Sequence, residues 1–205
     1  MNIGKKAALI MSKTKKIKSI GLIVEDNSDF NSFKIIISRI IQKGNLTFKK
    51  AIGKGCGKMK KKAVIYANLL TDKGCDLVIL VHDLDKNDLN QLNNNLEQLI
   101  DSSQAKNSFV CIPIEEIEGW FLSDLDGIKN VFNLDRIPKI NGNPESISSP
   151  KEKLENSVYK CSNHKKIYLN TKHNSLLSEN LDLNKINNKC ASFKKLVKFV
   201  TCFDY

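Results

Sequence analysis

Two short runs in this chain, residues 18–25 (KSIGLIVE) and 76–83 (DLVILVHD), are apolar almost without a break and close on a carboxylate. Runs of this length are too short for buried helices and lack the in–out alternation of a sheet with one wet face. They describe strands covered on both sides, as in parallel sheets packed between helices. Residues 46–52 and 109–114 read as two further strands. The segments between them change period. Phe30, Phe33, Ile37, Ile40 and Ile41 fall on one helical face, as do Met59, Ala63, Ala67 and Leu70, and then Leu89, Leu92, Leu96 and Leu99. Gly44-Asn45 is a stop signal for the first of these helices.

The alternation predicts an α/β fold with a mostly parallel central sheet flanked by helices. A helical turn through Trp120 and Phe121 follows the last strand. Ile117 and Phe121 share a face there, so these aromatic rings are expected in the core rather than stacked on a base. From residue 123 the pattern is helical and loop-rich. Ser149-Pro150-Lys151-Glu152 reads as a helix start, with a Ser cap, Pro at the first position and Glu closing a capping box. Phe193, Leu196, Val197 and Val200 mark a last amphipathic helix. The expected layout is a basic arm at 1–17, an α/β core at 18–122 and a helical C-terminal extension at 123–205 packed on that core.

Charge points to a class of partner. The net charge is +11 over 205 residues, and it is unevenly placed. Residues 1–62 carry 16 Lys/Arg against Glu25, Asp26 and Asp29, whereas residues 63–205 carry 17 against 19 acids. A one-sided basic excess favours a polyanion, here nucleic acid. The competing explanation is the Lys-, Asn- and Ile-rich composition of the whole chain, which a biased genome also produces. No run approaches the ~18 apolar residues of a membrane span, and residues 7–11 are too short for a secretory core. A cytoplasmic protein without membrane attachment is expected. The six cysteines contain no Cys-x-x-Cys pair and are expected as free thiols. Cys161-Ser-Asn-His164, with His173 and Cys190 beyond, is spaced too widely and irregularly for a zinc site.

The chemistry concentrates where strands end, since ligands of open α/β sheets bind outside the carboxyl ends of the strands. The first strand ends at Glu25, with Asp26 and Asp29 next. A later one ends at Asp83-Leu-Asp85, with Asp88 beyond, and the last is followed by Glu115, Glu116 and Glu118. Asp83 and Asp85 are two apart and point the same way from an extended segment. Crowded carboxylates raise one another's pKa unless a cation neutralises them. Hard oxygen donors of this kind suit Mg²⁺ or Mn²⁺. Asp29 and Asp88 also fit a plainer role as helix N-terminal charges. Glu25 and Asp83 fit it poorly, because an uncompensated carboxylate at the end of a buried strand is a cost.

A Glu closing the first strand with an acid four residues later (Glu25-Asp-Asn-Ser-Asp29), then Asp83-Leu-Asp85 closing a later strand, resembles the Toprim fold of primases, topoisomerases and the overcoming-lysogenisation-defect nucleases. The series Ile114-Glu-Glu-Ile-Glu-Gly-Trp-Phe-Leu-Ser-Asp124, Asn143-Pro-Glu-Ser-Ile-Ser-Ser-Pro-Lys151, Thr171-Lys-His and Cys190-Ala-Ser-Phe193 is similar to small standalone RloB-like Toprim proteins linked to phage defence. The likeness spans about 18–203. It implies a divalent-metal-dependent nuclease of DNA or RNA. Glu25 is then a metal ligand or general acid/base, and Asp29, Asp83 and Asp85 are metal ligands. Glu116 or Glu118 completes the set, and Lys151 or Lys172 lies near the scissile phosphate. It also implies Mg²⁺ or Mn²⁺ as cofactor and a separate ATPase subunit as partner, and it leaves the oligomeric state open. Asp26 stands where that family has glycine, so it either crowds the loop or adds a ligand.

Gly53-Lys-Gly-Cys-Gly-Lys58 is not a P-loop. It is one residue short, and Met59 replaces the Ser/Thr that binds Mg²⁺. A looser phosphate role is expected for Lys54, Lys58, Lys60, Lys61 and Lys62, because this loop falls at the same sheet end as the acids. Two rival readings remain. In a receiver-like phosphoacceptor, Asp83 is the acceptor beside Glu25-Asp26, although no Ser/Thr ends the fourth strand. In a non-catalytic nucleic-acid- or partner-binding module, the acids are structural.

Overall fold

The computed structural model describes residues 16–42 and 44–205. Of the basic arm expected at 1–17, residues 1–15 lie outside the described residues. Ile17 is buried, and its N–H donates to the Asp204 carbonyl at 2.8 Å.

The core is an α/β layer structure. Strand β1 (Ser19–Val24) leads into helix α1 (Asn27–Ile41), β2 (Thr47–Ile52), α2 (Cys56–Asp72), β3 (Leu77–Val81), α3 (Leu89–Asp101) and β4 (Ser108–Cys111). All four strands are parallel, in the order β2-β1-β3-β4. The chain moves one way from β1 to β2 and the other way afterwards. Right-handed crossovers therefore place α1 on one face and α2 and α3 on the other.

Side-chain alternation along the strands fills both faces. Ile20, Leu22, Val24, Leu77, Ile79 and Val81 pack with Phe33, Ile36 and Ile37 of α1. Ile23, Val78, Leu80 and Val110 pack with Met59, Ala63 and Leu70 of α2 and Leu92 and Leu96 of α3. Every residue of β1 and β3 is buried, as continuous apolar runs require. The edge strand β2 is half-exposed, consistent with its lysines.

Helix α4 (Glu118–Phe121) follows β4. It is succeeded by α5 (Leu125–Phe132), a 3₁₀ turn (Pro144–Ser146), α6 (Pro150–Cys161), α7 (Asn170–Asn180), α8 (Leu183–Lys189) and α9 (Ala191–Val200). These helices complete the α1 side of the sheet. Trp120, Phe121, Leu154, Leu177 and Phe193 belong to the same apolar cluster as β1 and α1, so sheet and extension share one core. Trp120 is fully buried between Phe33 and Phe193, and its indole N–H donates to Ser192 Oγ at 2.7 Å.

Several local expectations are corrected. Strand β4 ends at Cys111 rather than at 114, because Pro113 has no N–H to continue the ladder. Helix α1 ends at Gln42 in a left-handed conformation (φ 54°), before Gly44 is reached. The Ser149 side chain makes no capping bond to α6.

Gly21 marks a close approach of α2 to the sheet. A Cβ there would lie 3.0 Å from Leu70 Cβ and 3.1 Å from Cys75 Sγ, whereas one at Gly44 would meet nothing within 4 Å. Gly21→Ala is therefore expected to lower unfolding free energy by about 1–3 kcal/mol. Gly44→Ala should cost no comparable amount in the same urea titration. Equal effects would show that α2 does not pack on β1 this tightly.

Candidate active site

The reversal of strand order falls between β1 and β3, and their carboxyl ends carry Glu25 and Asp83. This is the switch-point crevice in which ligands of open α/β sheets bind. The connection after β4 folds back over the same end. Leu84 N–H donates to the Pro113 carbonyl, and Lys86 N–H donates to Glu115 Oε2 at 2.9 Å. Asp85, Lys86 and Glu115 all adopt left-handed backbone conformations (φ 47°, 61° and 58°). Each is unfavourable for a residue with a Cβ. Three such residues side by side hold the Asp85 carboxylate at the crevice rim.

All six acids expected from the sequence line one cleft of about 240 Å³: Glu25, Asp29, Asp83, Asp85, Glu116 and Glu118. Lys151 lines it too, and it is the one cation in that lining among the described residues. Lys172 does not. It lies exposed on the first turn of α7, since the chain is already helical from Asn170.

Four of the carboxylates are held by a donor from another position. Glu25 Oε2 accepts from the Cys56 thiol (2.8 Å), and Asp29 Oδ2 from the Asp26 N–H (3.3 Å). Glu116 Oε2 accepts from the Lys151 N–H (3.2 Å), and Glu118 Oε1 from the Tyr168 hydroxyl. The α6 N-terminus thus serves Glu116. Asp26 neither crowds the loop nor stands spare. Its Oδ1 caps α1, accepting from Ser28 and Asp29 N–H at 2.7 and 3.0 Å. Asp29 closes the capping box, so its plainer role and its place in the cleft are both real.

Two features escaped the sequence. Asn170 and Asn174 of α7 also line the cleft. Tyr168 bridges Glu118 and Asn174. Both Glu118 Oε1 and Asn174 Oδ1 face the phenol, whose one proton serves one acceptor at a time. In a chain this rich in Asn, no spacing distinguishes these two.

The crowding shows in the protonation equilibria. Burial, then Asp26, push Asp29 up to about 7, with Glu25 and Glu118 adding to it. Burial raises Asp83 well above the ordinary carboxylate range, and Asp29, Glu118, Asp85 and Glu116 raise it further. Glu116 is raised by burial and by Glu118, against the opposing Lys151 N–H. Asp124 is an instructive contrast, since it too is buried. It accepts from Lys185 Nζ (2.7 Å), Asp182 N–H (2.9 Å) and Gly127 N–H (3.1 Å). No hydrogen bond reaches the Asp83 carboxylate among the described residues.

The glycine loop lies at this same sheet end, as expected, but spans only Gly53–Gly55, because Cys56 and Gly57 already belong to α2. Gly53 and Lys54 N–H groups donate to the Val24 and Glu25 carbonyls at 2.8 and 3.0 Å. A Cβ on Gly53 would fall 2.4 Å from Met59 Cβ, so only glycine lets the loop turn onto α2. Lys54, Lys58, Lys61 and Lys62 are exposed, and Lys60 is half-buried. Among the described residues, no three His, Cys, Asp or Glu side chains converge closely enough to grip a metal ion as they stand. No helix of the described residues is long and apolar enough to cross a membrane.

The family model described as a domain of unknown function, DUF4276, matches residues 24–201. This chain belongs to the DUF4276 family. The matched span begins one residue before Glu25 and runs through α9, so every carboxylate of the cleft, Lys151 and the helical extension fall inside the DUF4276 region. No curated protein and no solved structure matches the chain.

The raised acids make a signed prediction. Below the ordinary value of 3.8, Asp29 is protonated whether the chain is folded or not. Between there and about 7 the folded state holds its proton more tightly, so the metal-free protein loses stability as pH rises. Asp29→Asn removes that loss. It should gain on the order of 2 kcal/mol at about pH 8, discounted for partial exposure, and nothing below about pH 4. Denaturant titration of both proteins at the two pH values is the check. A gain that persists in acid would place its origin elsewhere.

Proposed function

We propose that this chain is a divalent-metal-dependent nuclease that cleaves phosphodiester bonds of nucleic acid. The observation that carries the reading is the cleft itself. Seven carboxylates, the six above and Asp26, come from three separate segments and meet at the switch point with a single lysine in the lining. Such a cluster is costly unless a cation shares it. The donor set fits Mg²⁺ or Mn²⁺ in kind, being hard carboxylate oxygen with Asn170 and Asn174 amides beside it. The Toprim resemblance of Glu25, Asp29, Asp83 and Asp85 supports the same reading, and with it a role as a phage-defence effector beside an ATPase subunit.

A divalent ion in such a site neutralises the substrate phosphate and lowers the pKa of an attacking water. The chain's own groups do the rest. Glu25, restrained by Cys56, is positioned to orient water or move its proton at the end of β1. The Lys151 ammonium is the group available to stabilise charge developing on the phosphate. Glu118 is fixed through Tyr168 and holds the α7 wall of the cleft in register. The phosphoacceptor alternative is weakened, because Asp26 Oδ1 of its acidic pair is committed to capping α1.

The deciding experiment incubates the protein with DNA, total RNA and tRNA, with Mg²⁺, with Mn²⁺ and with chelator. Metal-dependent cleavage is expected, abolished by Asp83→Asn and by Asp85→Asn while both variants stay folded. Cleavage unaltered in both overturns the reading. Lys151→Met should lower turnover by about 10²-fold or more with little change in substrate affinity. Lys172→Met should change neither. The reverse pattern would move the role to Lys172.

A further inference from the structure

The even charge balance of residues 63–205 conceals two opposite regions. Residues 63–122 carry three Lys/Arg against ten acids, and residues 123–205 carry 14 against nine. Part of that second surplus gathers at one place. A cleft of about 360 Å³ between the outer face of α6 and the segment around 136–139 is lined by Arg136, Lys139, Lys153 and Lys160. No carboxylate is among its lining residues. Arg136 is fixed by donating from Nη2 to the Lys160 carbonyl at 3.1 Å. Lys139, Lys153 and Lys160 are exposed, and among the described residues no ion pair engages them.

We infer that this cleft is a second substrate subsite, which holds the phosphate backbone of the nucleic acid whose scissile bond lies in the acidic cleft. The inference rests on the nucleic-acid reading above. Helix α6 links the two sites. Its second residue, Lys151, lines the acidic cleft, and the next cation, Lys153, already lines the basic one. Lys153 and Lys160 lie about two turns apart, about 10 Å along the axis. That is the rise of about three nucleotides in one strand. Lys151 and Lys153 project from opposite sides of α6, so a strand that passes Lys151 crosses the first turn of the helix to reach the basic cleft, where Lys153 and Lys160 meet it about three nucleotides apart. Exposed Ile137 and the neutral Asn156 and Ser157 stand between them and offer surface to the sugars. The acidic side of α6 is turned elsewhere, since Glu152 lines the neighbouring groove with Asp85, Glu115 and Glu116.

The test measures binding of a labelled oligonucleotide in chelator across a salt series, for the parent and for the triple variant Lys139→Gln, Lys153→Gln and Lys160→Gln. The triple variant should bind about tenfold or more weakly, and its slope of log affinity against log salt should flatten by about 2 to 3. An unchanged melting temperature shows that the fold is kept. A mononucleotide and inorganic phosphate form the comparison arm, and both should compete only weakly. A parent that binds the oligonucleotide, with a triple variant of equal affinity and slope, overturns this subsite and leaves the nuclease reading standing. Mononucleotide competition as strong as that of the oligonucleotide overturns it in favour of a small-anion pocket. A parent that binds no nucleic acid either in chelator or with Ca²⁺ in place of Mg²⁺ sinks both.

Discussion

Mutual repulsion among the six carboxylates is the constraint around which the rest of this molecule is arranged. Left free, such side chains would swing apart into water. Here most cannot. Glu25 is tied to Cys56 at the head of α2, Asp29 to the capping box of α1, Glu116 to the first turn of α6 and Glu118 to Tyr168 before α7. Each tether comes from a different element, and each element is anchored by its own buried residues. The two apolar clusters on either side of the sheet therefore supply the stability that the cleft consumes. The extension is part of this device, because it provides two of the four tethers and both asparagines.

Helix termini are spent on positioning rather than left open. Asp26 uses its side chain to close α1, and this leaves its neighbour Glu25 at the end of β1 with no competing role in the cap. The uncapped start of α2 lies against Glu25 through Cys56, whose thiol is pushed up by burial and by that bond, so it stays a neutral donor. The start of α6 is committed to Glu116. Positive ends of three helices thus face one acidic cleft and partly offset its charge, an arrangement that follows from parallel strands feeding helices at one sheet edge.

Much of this was legible in the chain. Unbroken apolar runs at 18–25 and 76–83 announce doubly covered strands, and an acid that ends such a run has no apolar reason to be there. Glu25 and Asp83 were therefore readable on their own. Asp29 was ambiguous for a physical reason, since it both closes the capping box of α1 and lines the cleft. Tyr168 and Asn174 were not readable. The Tyr168 partner, Glu118, lies 50 residues away in sequence, and tertiary packing alone brings them together. Lys172 was misplaced because α7 starts at Leu169-Asn170 with no side-chain cap, so the usual helix-start signal is missing. At Ser149 the signal was present, yet the cap bond did not form. The basic cleft on α6 was hidden by averaging, since a window that spans acidic centre and basic extension sums to nearly nothing.

The resulting charge layout has a functional logic. The acidic centre, with three Lys/Arg against ten acids, is bracketed in sequence by a basic first third and a basic extension. An acidic cleft alone would repel a polyanion, and a uniformly basic protein would bind it without placing any bond at the cleft. Segregation resolves this. Under the proposed function, cations on the flanks would supply the long-range, salt-sensitive attraction. On the proposed nuclease reading, the carboxylates would admit the strand only where a divalent ion reversed the local sign. Affinity and chemistry then reside in different residues, so either changes without the other. This separation is expected where a phosphate backbone must be held firmly and cut at one point.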